Sequence, residues 1–500
     1  MKVVLVATYE LGRQPWGLAS AAAWLREQGA SVACIDLSRE ATDEGRIRDA
    51  DLLAFHVPMH TATRLVCQLL PEVRELNERA HICVFGLYAP VNEAYLRELG
   101  AQTILGGEFE AGLASVTARL GNRNGNGRGN GGGNGARVQE EKLISLERQN
   151  FRVPDREGFL PLGNYARLQL ENGEEVLAGY TEASRGCKHL CRHCPIVPVY
   201  NGVFRIVQPE VVKEDVRRQI AAGARHITFG DADFFNGPGH AIPIVRWLHA
   251  EFPGVTYDAT IKIEHLKKHG ELLGALRETG CLFVTSAVES VDDAVLGRLD
   301  KGHTRSDFVE VLGACAQTGL AIQPTFVAFH PWTTLGSYCE MLEFLREHGL
   351  VESVAPIQLA IRLLIPAGSR LMELEEVRGL VGDFDREGLA YPWKHSDARV
   401  DELQKEVARL VSEGEREGLG RSAIFQRIEK MAREVAGLKA LDVDPLQIFG
   451  APSLVPHLTE AWYCCAEPSL EQFSQIKGKT CCGTGEVSSK EISKQPAKPA

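Results

Sequence analysis

Residues 184–195 read SRGCKHLCRHCP and set Cys187, Cys191 and Cys194 at Cys-x3-Cys-x2-Cys spacing on one short loop. The loop follows directly on a predicted strand, YTEAS at 180–184. Three thiolates so close in sequence can hold three corners of an iron–sulfur cubane, which leaves the fourth iron without a protein ligand, open to a substrate or cofactor. Zinc is the competing reading. It favours Cys-x2-Cys pairs and a fourth ligand, which His189 or His193 would supply.

Working outward, the segments beyond the loop alternate between strand and helix patterns. HITFGDA (226–232), VTYDATI (255–261), LFVTSAVE (282–289), IQPTFVAF (322–329) and APIQLAIRLL (355–364) read as strands, with helices such as PEVVKEDVRRQIAAG (209–223) and DAVLGRL (293–299) between them. Regular βα alternation over 176–390 predicts a barrel or partial barrel. The cysteine loop then lies at the C-terminal end of its first strand, where barrel active sites sit. Upstream, KVVLVA (2–7), SVACIDL (31–37), DLLAFHVP (51–58), HICVFGL (81–87) and TILGG (103–107) alternate with helical stretches, which predicts a parallel sheet over 1–120. Cys34, Cys67 and Cys83 fall in these apolar segments and read as small core residues. Residues 121–136, GNRNGNGRGNGGGNGA, cannot bury a core and read as a flexible linker. A connector follows at 137–175, a polar helical region at 391–470 and a tail at 471–500 that loses its apolar pattern.

Composition bounds the partners. With 66 acidic and 55 basic residues, the net charge of −11 argues against nucleic acid as the main partner. No apolar run approaches the ~18 residues of a membrane span, and the N-terminus lacks a secretory h-region. A cytoplasmic, reducing location is expected, in which the clustered thiols among the 13 cysteines serve metal or redox chemistry rather than disulfides.

The SRGCKHLCRHCP loop resembles the signature of radical S-adenosylmethionine (SAM) enzymes. The resemblance implies a 4Fe–4S cluster on Cys187, Cys191 and Cys194, SAM on the open iron, and a flavodoxin- or ferredoxin-like one-electron donor. His193 stands where the family commonly carries an aromatic residue against the adenine. By the same resemblance Gly230, Asp231 and Asp233 lie near the amino end of SAM, Lys262 and Glu264 near its ribose and carboxylate, and Glu289 and Ser290 face the cofactor. Arg362 would pair with the SAM carboxylate; a structural ion pair is its other reading. Asp231 and Asp233 also read as turn formers, and Asp292 as a helix cap.

VFGLYAPVNEAYLRELGAQTILGGEFE (84–110) resembles the last βαβ of the cobalamin-binding Rossmann domain that precedes many such barrels. The Asp-x-His-x-x-Gly cobalt-ligand signature is absent, which leaves cobalamin open as a further cofactor. His56 and His60 flank a strand end where α/β sheets bind ligands. The implied fold is α/β: a Rossmann-like parallel sheet, a partial (β/α)6 barrel and a mostly helical C-terminal extension.

WYCCAEP (462–468) resembles the segment that names the CUAEP/CCAEP-tail radical SAM proteins. Adjacent Cα atoms lie ~3.8 Å apart, short of the ~4.4–6.8 Å of relaxed disulfides, so a Cys464–Cys465 bridge is strained and easily reduced. As dithiols, Cys464 and Cys465, with Cys481 and Cys482 further along, suit soft ions and would capture trivalent arsenic. The resemblance therefore implies a transferase acting on a small molecule. One form moves the 3-amino-3-carboxypropyl group of SAM onto trivalent arsenic, as in arsinothricin-type biosynthesis. Others are a cobalamin-dependent methyltransferase and a peptide- or small-molecule-modifying enzyme. A non-catalytic zinc- or metalloid-binding protein is the reading from another class.

Overall fold

The computed structural model describes residues 1–125, 141–439 and 455–460. Cys464, Cys465, Cys481 and Cys482 lie outside the described residues.

The N-terminal unit runs β1 (Lys2–Ala7), α1 (Trp16–Glu27), β2 (Ser31–Asp36), α2 (Glu44–Asp49), β3 (Leu52–His56), α3 (His60–Leu76), β4 (His81–Phe85), α4 (Glu93–Glu98), β5 (Thr103–Gly107), α5 (Glu110–Gly125) and β6 (Ile144–Ser145). The strands pair in parallel in the order β2-β1-β3-β4-β5-β6. Leu52–His56 is buried along its whole length, as a strand covered by helices on both faces must be. Val6, Phe55, Val84 and Val66 build one core, and Leu5, Leu18, Phe85 and Leu113 the other. Cys34, Cys67 and Cys83 are buried in these cores as expected, and burial pushes the Cys34 and Cys67 thiols up to about 12. The strand order reverses between β1 and β3, the position at which open α/β sheets bind ligands beyond their C-terminal edge. α5 continues to Gly125, into the stretch read as linker.

The second sheet comprises β7 (Arg167–Gln169), β8 (Glu175–Thr181), β11 (His226–Phe229), β12 (Thr256–Thr260), β13 (Cys281–Glu289), β14 (Ala321–Phe326) and β15 (His457–Leu458), in the order β14-β13-β12-β11-β8-β7-β15. β8 and β11–β14 pair in parallel, while β7 and β15 add an antiparallel edge. Between β8 and β11, β9 (Ser184–Gly186) and β10 (Phe204–Ile206) form a two-stranded antiparallel ribbon that ties together the two ends of the cysteine loop. The last strand read from the sequence, APIQLAIRLL, becomes a short 3-10 turn at Pro356–Leu359 followed by a single parallel bridge from Arg362 to Phe329. Five hydrogen-bonded parallel strands and that bridge make a partial barrel.

Helices Ala398–Arg416 and Arg421–Val435 form the C-terminal extension. Their apolar stripe, with Val400, Leu403, Val407, Ile424 and Ile428, packs into the barrel core. Among the described residues no helix is long and apolar enough to cross a membrane.

Candidate active site

The cysteine loop starts at a position only glycine tolerates. Gly186 has φ +75°, and a Cβ there would sit 2.4 Å from Tyr200 Cδ1 and 2.5 Å from the Val203 carbonyl. The chain thereby reverses off β9 and lays Cys187, Cys191 and Cys194 along one wall of a single cavity of ≈ 330 Å³. Asn236 Oδ1 accepts from the Lys188 N–H at 3.1 Å and lies 3.8 Å from Cys187 Sγ. Burial pushes the Cys187 thiol up to about 11, so its thiolate persists near neutral pH only where a metal binds it.

A second element completes the wall. The β13–β14 register shifts between Ala287 and Glu289, and Glu289 takes φ +70°, a strained conformation for a residue with a side chain. Its carboxylate reaches His193 Nε2 at 3.0 Å and Lys301 Nζ at 3.3 Å. Burial disfavours its charge, but Lys301 and His193 hold it at about 2. Burial likewise opposes the Lys301 ammonium, and Glu289, Cys191 and Cys194 keep it ionised, well above the usual lysine range. A buried cation beside Cys191 and Cys194 would stabilise an anionic metal–thiolate unit on this loop. The donor set, the shared wall and this cation fit a cluster on the three cysteines.

The remaining sequence candidates divide. Gly230, Asp233, Lys262, Glu289 and His193 all line the cavity. At Gly230 a Cβ would lie 1.9 Å from the Tyr180 hydroxyl, which explains the residue. Glu264 pairs with Lys262 at 3.0 Å at the rim. Asp231 is set back from the cavity, accepting from the Ala183 N–H at 2.9 Å and the Ser184 hydroxyl at 2.5 Å, and burial pushes it up to about 7. It braces the strand that launches the loop. Ser290 accepts from the Asp292 N–H and faces a smaller neighbouring pocket. Arg362 is engaged elsewhere: it bonds Asp401 at 2.7 Å and the Trp393 carbonyl at 2.6 Å and stacks over the Trp393 ring, which is the structural ion pair of its second reading. Asp292 caps helix Asp293–Leu299.

The opposite wall of the cavity belongs to the N-terminal sheet. Glu10 after β1, His56 at the end of β3, Met59 beyond it, Tyr88 after β4 and Phe109 after β5 all line it. The C-terminal edge of that sheet, at its switch point, thus faces the C-terminal end of the barrel. His56 is wedged against Phe85 and Phe109, with ring centroids 5.1 and 5.7 Å away, and a Cβ at Gly17 would meet its ring at 2.3 Å. His60 Nε2 bonds the Gly388 carbonyl at 2.8 Å, and burial lowers it to about 4. Both histidines are held by packing or hydrogen bonding on this wall.

Sequence reasoning missed Arg185, which locks the two walls together. It forms a bidentate pair with Glu110, at 2.7 and 3.1 Å, and reaches Glu182 at 3.0 Å and Glu108 at 3.6 Å. Its guanidinium lies over the rings of Trp16, Phe109 and Phe151 at 4.6, 4.7 and 5.1 Å. One cation among two buried carboxylates and a half-buried third cannot keep all of them ionised. Glu110 stays low, while burial pushes Glu108 up to about 7 and Glu182 to about 8. The GGEFE ending of the N-terminal unit therefore docks on the residue just before the cysteine loop. Lys301 and His265 were also missed; neither belongs to a motif short enough to see in sequence.

Comparison with known proteins agrees with this geometry. Residues 181–345, which hold the cysteine loop and strands β11–β14, match the model of the Radical SAM superfamily. The chain is 25% identical over 209 residues to the ribosomal protein uS12 methylthiotransferase RimO of Porphyromonas gingivalis, covering 37% of this chain and 46% of that protein. It is 23% identical over 262 residues to the tRNA-2-methylthio-N(6)-dimethylallyladenosine synthase of Desulfosudis oleivorans, covering 50% of this chain and 54% of that one. The chain thus spans about half the length of these relatives. Among solved structures, the cobalamin-dependent SAM radical enzyme OxsB with aqua-cobalamin bound superposes with a TM-score of 0.63 at 16% identity, over 83% of this chain and 67% of that one. The radical SAM methyltransferase TsrM from Kitasatospora setae, with cobalamin and a [4Fe-4S] cluster bound, gives 0.55 at 16% identity, over 69% and 73%. At these identities the likeness is one of fold, and it extends across both sheets.

Proposed function

We propose that this chain reductively cleaves S-adenosylmethionine and transfers a SAM-derived group to a small molecule held between the two sheets. The observation that carries the reading is the single cavity lined jointly by Cys187, Cys191 and Cys194 and by the ligand-binding edge of the N-terminal sheet. A 4Fe–4S cluster on those thiolates, with SAM on its open iron and an electron from a flavodoxin- or ferredoxin-like donor, supplies the bond-breaking chemistry. The chain's own residues place it: Glu289 and His193 set the wall beside the third cysteine, Lys301 balances thiolate charge, and the Arg185 seam closes the chamber.

For the group transferred, methyl transfer with a corrinoid carrier is the first reading. Its support is the switch-point edge opening onto the barrel mouth, together with the fold shared with two proteins solved with cobalamin bound. His60, whose Nε2 bonds the Gly388 carbonyl, and His56, packed against Phe85 and Phe109, would form part of the wall that holds a corrinoid.

Transfer of the 3-amino-3-carboxypropyl group to trivalent arsenic is the second reading, and one position favours it. β15 leads to Glu460, which pairs with Arg39 at 3.1 Å and lies against Gly12, next to Leu11 and Arg13 of the cavity wall. Cys464 and Cys465 follow in the sequence, outside the described residues. A thiol pair suits a soft acceptor.

Anaerobic reconstitution followed by turnover with SAM and reductant separates the readings. S-adenosylhomocysteine formation that requires added cobalamin supports the first. 5′-Methylthioadenosine formed with arsenite supports the second. 5′-Deoxyadenosine alone excludes both forms of transfer, and no SAM-derived product overturns the proposal.

A further inference from the structure

Beside the cysteine loop lies a cluster that includes Asp233, the residue that the family resemblance sets near the amino end of SAM. His189, Asp233 and His265 each aim one ligand atom at a common point, with those atoms within 4.8 Å of one another. His265 Nδ1 lies 2.7 Å and His189 Nε2 3.7 Å from Asp233 Oδ2. All three atoms are buried without a hydrogen-bond partner, so the short His265–Asp233 approach is not an aligned hydrogen bond. Asp233 is 1% exposed and His265 6%. Buried polar atoms are rarely left unanswered, and three converging on one point call for a shared partner.

The surroundings orient the group as metal ligands are oriented. Asp233 Oδ1 accepts the Phe235 N–H at 3.1 Å, which fixes the carboxylate and leaves Oδ2 inward. His189 turns Nδ1 toward Glu264 Oε2 at 3.4 Å, so that Nε2 faces the cluster centre. A carboxylate behind a histidine is the arrangement that sets the tautomer of a metal-bound imidazole. Cis ligands about 2.1 Å from an ion lie about 3 Å apart, a value between the 2.7 and 3.7 Å separations of the two imidazole nitrogens from Asp233 Oδ2. His189 and Asp233 also line the cavity, so an ion there has a side open to a bound molecule.

We propose that His189, Asp233 and His265 bind one divalent first-row transition ion of the zinc or ferrous class, through two imidazole nitrogens and one carboxylate oxygen. This donor set with open positions suits those ions. The ion would take an oxyanion or thiolate of the molecule held in the chamber. The inference shares the chamber of the proposed function but does not depend on SAM cleavage.

Full-length protein with its cluster reconstituted anaerobically, then freed of loose metal, is titrated with zinc ions. About one zinc per chain is expected, with X-ray absorption showing only nitrogen and oxygen neighbours at ~2.0–2.1 Å. Asp233→Asn and His265→Gln should weaken zinc binding at least ~100-fold while iron stays near four per chain. Failure of the parent protein to bind zinc, sulfur in the zinc shell, or unchanged affinity in both variants would overturn the proposal. Should a variant lose its iron as well, the ligand shell of the parent protein decides. Because the readout is zinc, its failure is distinct from a failure of SAM cleavage, which the nucleoside products report.

Discussion

Arg185 and His189 stand four residues apart on one loop, yet their surroundings follow opposite rules. Around Arg185 the buried charges are answered: Glu110 by a bidentate pair, a serine and a glutamine, and Glu108 by a tyrosine hydroxyl. Around His189 three buried ligand atoms converge with nothing between them. A satisfied network of this kind fixes one arrangement of two domains. An unsatisfied one stores cost that folding alone does not recover, and such cost is expected where something must bind. The same stretch of chain thus holds the walls together at one end and presents ligands at the other.

The largest effect that tests this division is on the presenting end. Replacing Cys187, Cys191 and Cys194 together by alanine should abolish iron binding and SAM cleavage, read by metal analysis and nucleoside products. The Arg185 seam should survive, so the unfolding midpoint of the metal-free variant should stay close to that of the metal-free parent. Arg185→Ala should do the reverse in kind. It leaves Glu110 buried and uncompensated, which costs about 3–5 kcal/mol by denaturant unfolding. Retention of full stability by this variant would mean that the seam is ornamental and the comparison false.

Both ends differ in how far the sequence reveals them. The cysteine loop is legible because its chemistry demands ligands at fixed short spacing. The parallel sheets are legible because strands such as Leu52–His56 are continuous apolar runs. The sixth barrel strand misleads: APIQLAIRLL has the right pattern, but Pro356 and the packing of helix Ala398–Arg416 turn it into a 3-10 segment and a bridge. Arg362 follows from the same cause, since Asp401 on that helix captures it. The Glu110–Arg185 pair spans 75 residues, and Asp233 meets residues on two other segments. Contacts of that range leave no local spacing to read.

A smaller effect probes a charge that is answered on the presenting side. Lys301 and His193 hold the buried Glu289 carboxyl at about 2, below its ordinary 4.5. A depressed folded-state value stabilises the protein above the unfolded value, and the gain disappears as pH falls from about 4.5 through 2. It amounts to about 3 kcal/mol. Metal-free parent should therefore lose stability across that window, while Glu289→Gln should be less stable at neutral pH and flatter on acidification. Parallel pH curves for the two would show that Glu289 is not paired in the folded chain.

The smallest expected effect sharpens the account of the seam itself. If one guanidinium sustains one full carboxylate charge, the three acidic partners of Arg185 are not equivalent. Glu110, which takes the bidentate pair, is held below the usual range, whereas burial pushes Glu108 up to about 7. Glutamine mimics a protonated glutamate, and its carbonyl can still accept from the Tyr200 hydroxyl now bonded to Glu108 at 3.1 Å. Glu108→Gln should therefore change unfolding free energy at neutral pH by less than about 1 kcal/mol. Glu110→Gln removes the charge that answers Arg185 and should cost several times as much. Equal losses in the two variants would spread the charge over both carboxylates, and the seam would then be a shared network rather than one ion pair with neutral neighbours.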